Sequence, residues 1–344
     1  MDMPKTIDIP QEFPLAIPEN QERASERPVS LRQARSITLG YISELRLAEQ
    51  YHEDQPQMRD ALFALVERVC QQEKQVGGPD DFHNLAVTLG RSGYDELACD
   101  ILEKGLALFP YDVDLLADYL IYGIDCERMD ACEEYYQTLW KVPQSEWTWR
   151  GFAFSLAYLR RLKKIGPPRL PHTNYEKEIS ELARAYKKYL PQEENAYREY
   201  ARLYDKNPDK ELSILREALE NGQVGACPSC AFRCADLLFA QKQYQNALDA
   251  IQRSLEDAVN QKQGGINEFY LYFLSALCKL GLRLRENEYD EEDILEIYSD
   301  FNVALIGVGS EYVDTIRTRV RILEQKTGIH VPDQFERLQE IIGY

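Results

Sequence analysis

The sequence is short of positive charge. Its 344 residues include 40 Lys and Arg but 58 Asp and Glu, so the formal net charge is −18. A protein that binds nucleic acid needs a basic surface to neutralise phosphates, and any such surface here would compete with a large acidic excess. The composition therefore argues against nucleic acid as the main partner.

Long apolar runs are also missing. No stretch approaches the ~20 consecutive apolar residues that cross a bilayer, so we expect no membrane-spanning segment. The segment Met1–Lys5 lacks the basic-then-apolar pattern of a secretory leader. Eight cysteines are scattered along the chain, which is typical of reduced cytosolic thiols and not of a disulfide framework. These absences predict a cytoplasmic protein.

Recognisable catalytic motifs are absent as well. The four histidines, His52, His83, His172 and His330, are isolated from one another in the sequence. A base without a visible partner is weak evidence for catalysis. The glycine-containing segment Gly307–Ser310 lacks the lysine of a phosphate-binding loop. We predict that the protein is not an enzyme and needs no cofactor.

What the sequence does contain is a repeat. Two sets of mostly apolar or small residues recur, with the first seven members offset by 34 positions and the final proline by 33. The first set is Phe82, Leu85, Ala86, Leu89, Ala98, Leu102, Gly105 and Pro110, and the second is Leu116, Tyr119, Leu120, Gly123, Cys132, Tyr136, Leu139 and Pro143. A fixed period of this length indicates stacked helical repeats.

The spacing and residue types resemble the tetratricopeptide repeat, in which two helices pair closely. Ala86 and Ala98 stand where the paired helices cross, and a larger side chain there would separate them. The resemblance implies an all-α fold, a right-handed superhelix of stacked antiparallel helix pairs with about 16 helices and a concave inner face.

Several segments depart from the repeat. We predict an extended or disordered tail over 1–29, because five prolines there prevent helix formation, and one helical repeat domain over 30–344. Within the tail, residues 7–15 are either part of an unstructured leader or a strip that docks in a groove. The repeats are clear near 79–112, 113–146, 194–221 and 228–260, and divergent at 145–190 and 264–344.

The resemblance also implies a function and a binding surface. Such repeats are non-catalytic scaffolds that bind a protein or peptide in the concave groove and so assemble or regulate a complex. The groove is lined chiefly by the first helix of each repeat. In this sequence the corresponding partner-binding candidates are His83, Asn84, Arg91, Asp114, Asp118, Arg198, Arg202, Phe232, Arg233, Asp236 and Phe239. The sequence does not indicate an oligomeric state.

Two alternatives remain open. The basic stretch 160–169 could let a regulatory subunit sense a small ligand or nucleic acid. Cys227, Cys230 and Cys234 could form a metal or redox site. We favour structural cysteines, because no fourth metal ligand lies nearby in the sequence and cysteine packs well as a small apolar residue.

Overall fold

The structure is a computed structural model that describes residues 28–51, 54–72, 77–165, 174–260, 267–286, 290–307 and 309–328. These residues form fifteen α-helices and no strands, which confirms the prediction of an all-α fold built from about sixteen helices. The chain divides into two compact units, unit 1 (residues 1–139) and unit 2 (residues 140–344). The predicted tail lies outside the described residues up to position 27, as do residues 166–169 of the basic stretch and residues 329–344 of the divergent region.

Unit 1 contains six helices in its described residues. They are α1 (Leu31–Gln50), α2 (Pro56–Gln71), α3 (Pro79–Gly90), α4 (Asp95–Leu108), α5 (Val113–Asp125) and α6 (Met129–Leu139). Each helix from α3 onward packs on the next, and alternate helices also pack, α1 on α3, α3 on α5 and α2 on α4. This pattern forms two layers of helices, with the first helix of each repeat in one layer.

The helix starts follow signals in the sequence. Ser30 caps α1, where its hydroxyl accepts a hydrogen bond from the backbone N–H of Gln33 at 3.3 Å and the Gln33 side chain accepts from the Ser30 N–H. This reciprocal arrangement satisfies two N–H groups that lack helical partners. Gly78 precedes α3, and Pro79 occupies its first turn, where the missing N–H of proline has no cost.

The repeat period corresponds to the core of unit 1. All seven positions shared at the 34-residue offset are buried in both helix pairs, α3–α4 and α5–α6. A Cβ atom on Gly105 would lie 3.0 Å from Cγ of Phe82, so the glycine lets α4 approach α3 without displacing the Phe82 ring. The tetratricopeptide-like pairing predicted from small residues is confirmed at these positions.

Unit 2 contains nine described helices. They are α7 (Trp149–Ile165), α8 (Tyr175–Tyr189), α9 (Glu194–Ala201), α10 (Pro208–Glu220), α11 (Pro228–Ala240), α12 (Tyr244–Asn260), α13 (Glu268–Glu286), α14 (Glu291–Ala304) and α15 (Ser310–Thr327). The alternate packing continues, α7 on α9, α9 on α11 and α11 on α13. Two short 3₁₀ turns, Gln144–Glu146 and Arg202–Tyr204, precede α7 and follow α9.

The core of unit 2 includes two clusters of buried residues. One surrounds α11 and includes Cys230 and Leu238, and the other joins α13, α14 and α15 through residues such as Phe301 and Ile316. Among the described helices, none is both long enough and apolar enough to cross a membrane. The single repeat domain predicted over 30–344 stays a prediction.

Candidate functional site: an arginine-lined cleft in unit 2

The predicted binding residues fall into two groups. Five belong to unit 1 and six to unit 2. Most stand on α3, α5, α9 and α11, the first helices of the clear repeats, while Arg91 and Arg202 follow directly after α3 and α9.

In unit 1, two predicted residues bind each other. The Nδ1 atom of His83 on α3 contacts Oδ2 of Asp118 on α5, and their side chains are only 11% and 1% exposed. The pair joins two neighbouring helices of the same layer, so it contributes to the fit between repeats. Its contribution to partner binding stays a prediction.

The other three predicted residues of unit 1 are more accessible. Asn84 is exposed, and its side-chain amide donates to the backbone carbonyl of Asp80 at 2.7 Å. Arg91 is exposed just after α3. Asp114 is half-buried in the first turn of α5, where a carboxylate interacts favourably with the helix dipole.

In unit 2, four predicted residues meet at a cleft of about 380 Å³. This volume lies within the range of ligand pockets in proteins. The walls come from α9 to α11, the 3₁₀ turn after α9 and the residue before α13. The lining consists of Arg198, Ala201, Arg202, Asp205, Glu211, Leu215, Ser229, Phe232, Arg233 and Asn267.

Arg233 is held by carboxylates on two helices. Its Nε and Nη2 atoms donate to the two carboxylate oxygens of Glu211 at 2.8 and 3.2 Å, and its Nη1 donates to Asp236 at 2.6 Å. The hydrogen bonds to Glu211 raise the pKa of Arg233. Because the Glu211 side chain is only 4% exposed, Arg233 is needed to neutralise a buried charge between α10 and α11.

The other two arginines of the cleft differ in how they are bound. Nη1 of Arg202 donates to Glu199 at 2.7 Å, and the same carboxylate also contacts Arg160. Nη1 of Arg198 donates to the neutral amide oxygen of Asn195 at 3.1 Å. Within the described residues, Arg198 makes no ion pair with a carboxylate. The guanidinium of Arg198 can therefore still donate hydrogen bonds to a negatively charged group of a ligand.

Aromatic residues border the cleft on one side. Phe232 lines the cleft, and its ring centroid lies 5.5 Å from that of Tyr270. The hydroxyl of Tyr270 donates to Asp236 at 3.3 Å, so Asp236 links Arg233 to the aromatic side. Phe239 lies near the other end of α11, with its ring centroid 5.9 Å from that of Tyr244, and does not line this cleft.

Sequence reasoning identified Asp236 but missed Glu199 and Glu211, the other carboxylates that hold the arginines. A signal for Glu211 exists, because it shares the buried face of α10 with Leu215 and Ala218, at the spacing of one helical face. A charged residue on an apolar face requires a partner. The identity of that partner on α11 depends on packing between helices and cannot be obtained from local spacing.

The three clustered cysteines belong to the core. Cys227, Cys230 and Cys234 are buried at the start of α11. Burial raises the pKa of Cys227 and Cys234 to about 12 and also raises that of Cys230. Protonated thiols are poor nucleophiles and poor metal ligands. Within the described part of the chain, no group of three or more His, Cys, Asp or Glu residues is placed to hold a metal ion.

The basic stretch is largely paired with acids where the structure describes it. Arg160 contacts Glu199, and Nζ of Lys163 lies 2.7 Å from Glu176. Lys164 is exposed near the end of α7. These ion pairs neutralise much of the positive charge that the stretch 160–169 would need to bind nucleic acid.

No family model and no curated protein matches the sequence. The chain is similar in structure to PilF of Pseudomonas aeruginosa, with 16% identity, a TM-score of 0.49 and coverage of 70% of this chain and 97% of that one. It is also similar to TTC0263, a TPR protein of Thermus thermophilus, with 17% identity, a TM-score of 0.41 and coverage of 59% and 100%. A tetratricopeptide repeat protein from Parabacteroides merdae ATCC 43184 matches at 13% identity and a TM-score of 0.40, with coverage of 82% and 97%. Two of these three proteins are thus described as members of the family that the 34-residue spacing resembles.

Proposed function

We propose that the protein is a non-catalytic scaffold of the cytoplasm that binds a protein or peptide partner at the arginine-lined cleft of unit 2. The observation that carries this proposal is the state of Arg198. Its side chain lines the cleft beside Ala201, Leu215 and Phe232, and its hydrogen bond goes to the neutral amide of Asn195. Glu194 interacts with it electrostatically but is not in an ion pair with it among the described residues. A partner group with negative charge would complete this arrangement.

The lining favours a particular kind of segment. Ala201, Leu215 and Phe232 offer apolar and aromatic area beside the guanidinium of Arg198. A segment that carries an acidic side chain next to an apolar one would match both features, because interface energy concentrates where an apolar anchor is buried beside satisfied polar groups. Arg202 is 53% exposed at the rim. Its charge would speed the association of an acidic partner more than it would discriminate between partners.

The rest of the cleft is preorganised. The ion pairs of Arg233 with Glu211 and Asp236 tie α10 to α11, and Tyr270 adds a contact from α13. A partner therefore meets side chains that are already ordered, so little conformational entropy is lost when it binds. This is how stacked repeats hold a partner without chemistry of their own.

The experiment uses the full chain as bait to isolate partners, and then measures the affinity of the purified partner by calorimetry. Arg198→Glu reverses the free charge in the cleft and should weaken binding at least tenfold. Arg319→Glu makes the same change in charge at an exposed position on α15 and should leave the affinity unchanged. Equal affinity of the Arg198 variant and the unmodified chain would remove this cleft from the proposal.

Arg233 is the wrong residue for such a test. A glutamate at this position would face Glu211 and leave two carboxylates together in a buried setting, so loss of binding would be confounded with loss of stability. Arg198 reduces this problem, because its hydrogen bond is to a neutral amide, but the nearby Glu194 makes an unfolding measurement on the Arg198 variant a necessary control.

A further inference from the structure

Unit 1 contains a separate groove of about 480 Å³ between α1 and α3. It is distinct from the cleft proposed above, which lies in unit 2. The residues that line it are Leu31, Arg32, Arg35, Ser36, Leu39, Asp80, Asp81 and Asn84. Leu39 is 46% exposed, which is a large open area for a leucine, and two arginines stand beside it. The groove thus combines exposed apolar area with two arginines and two carboxylates, Asp80 and Asp81.

The two arginines differ in their hydrogen-bond partners, because one binds a carboxylate and the other a hydroxyl. Nε of Arg32 donates to the Asp81 carboxylate at 2.9 Å, although the Arg32 side chain is 85% exposed. Asp81 also accepts from the backbone N–H of Gly78 at 3.1 Å and so belongs to the start of α3. Nε of Arg35 donates only to a neutral group in the described part of the chain, the hydroxyl of Thr88 at 3.2 Å. Arg35 is thus the groove's main binding group for an anion.

The chain carries a segment with matching properties before α1. In residues 7–15, Ile7, Ile9, Phe13 and Leu15 occupy odd positions, and Asp8, Pro10, Glu12 and Pro14 occupy even positions. Along a β-like backbone, successive side chains alternate between two sides. In that conformation the apolar residues would lie on one side of the segment and both acids on the other. The two prolines disfavour a helix as the alternative.

We propose that residues 7–15 of the chain itself bind in the groove between α1 and α3. The apolar side would cover Leu39, and Arg35, one helical turn before Leu39 on α1, would extend past the edge of the segment to Asp8 or Glu12. Fifteen residues separate the segment from Leu31, which itself lines the groove. A covalent connection of this length keeps the segment close to the groove, at an effective concentration of roughly millimolar order.

A second groove of unit 1, between α2 and α4, differs in its charge balance. It also has an apolar part, around Phe63, but its lining carries three carboxylates, Glu67, Asp100 and Glu103, and one cation, Lys104. In the groove between α1 and α3 the two arginines balance the two carboxylates. The excess of carboxylates between α2 and α4 would oppose an acidic segment. The acidic segment therefore matches the groove with Arg35 and not the groove with Phe63.

Occupation by the segment has a consequence for binding. Asn84, one of the partner-binding residues predicted from the repeats, lines the same groove. The chain's own segment would then compete with any external partner that uses this part of unit 1, and a partner would bind only by displacing it.

The test uses a labelled synthetic peptide of residues Lys5–Ile17 and two full-length chains. In one chain, Ile9→Ser and Phe13→Ser disable the internal segment. The peptide should bind this chain and bind the unmodified chain at least tenfold more weakly, because there it competes with the tethered copy. Equal affinity for both chains, or no binding to the disabled chain, would refute the proposal.

Two further variants locate the site on the disabled chain. Arg35→Glu should weaken peptide binding at least tenfold, and Arg35→Ala should weaken it less. Arg59→Glu provides a matched charge change at an exposed position of α2 and should have no effect. If Arg198→Glu in unit 2 removes binding while Arg35→Glu does not, the segment occupies the other cleft and this assignment is wrong.

Discussion

At the scale of single residues, burial decides what the clustered cysteines can do. Cys234 is almost completely buried, and its pKa is raised to about 12. In the unfolded chain the thiol has a pKa of about 8.5. The folded state therefore holds the thiol proton more tightly than the unfolded chain does. This difference stabilises the folded state fully below pH ~8.5, and the stabilisation is lost as the pH rises from there toward the folded-state pKa.

Cys234→Ala should therefore change the pH dependence of stability. Between pH 8 and pH 10, the free energy of unfolding of the unmodified chain should fall more steeply than that of the variant, by about 1–2 kcal/mol. Urea denaturation in a reducing buffer at both pH values measures this difference. Lysines and tyrosines titrate equally in both proteins, so an identical decline in the two would show that the thiol is ionised in the folded state.

Residue-scale prediction from the sequence reaches a definite limit. The face on which Arg198 and Arg233 stand follows from the repeat register, because a helix repeats every 3.6 residues. Which of the two is already neutralised does not follow, because Glu211 lies 22 positions before Arg233 and meets it only through helix packing. The sequence thus identifies members of the cleft, and the tertiary structure distinguishes the free cation from the paired one.

At the scale of a helix, the start of α11 contains Cys227 and Cys230, a spacing often found in metal and redox sites. Here the backbone of these residues stabilises the fold. The N–H of Cys230 donates to Oε1 of Glu194 at 2.7 Å, and the N–H of Cys227 donates to Oδ2 of Asp257 at 2.8 Å. Both acceptors come from other helices. They satisfy N–H groups that have no partner within α11, and their negative charge lies at the positive end of the helix dipole.

Glu194→Ala should lower the free energy of unfolding by about 1–2 kcal/mol, because the first turn of α11 loses its acceptor in a buried setting. Glu194→Gln keeps an oxygen acceptor and should cost less than half as much. Chemical denaturation of both variants provides the comparison. If alanine and glutamine cost the same, the charge and not the hydrogen bond stabilises this helix start.

At the scale of the whole molecule, the repeat predicts how stability is distributed. The all-α fold follows from the 34-residue spacing because each helix pair buries its small residues at the same positions. The division into two units does not follow, because it depends on contacts between neighbouring helices around position 139 and not on the period. In stacked repeats each helix pair contacts mainly its neighbours, so stability is largely local.

Leu102→Ala tests this local character. Leu102 is fully buried in α4, and its truncation should lower the opening free energies of amides in α3 to α6 by about 2–4 kcal/mol, through lost apolar contact and the cavity left behind. Amides of α11 and α12 should change by less than about 1 kcal/mol, because they belong to another compact unit. Native-state hydrogen exchange measures both sets in one experiment. An equal loss in all helices would instead show that the chain unfolds as one cooperative body, because only global unfolding transmits the same free-energy change to amides in both units.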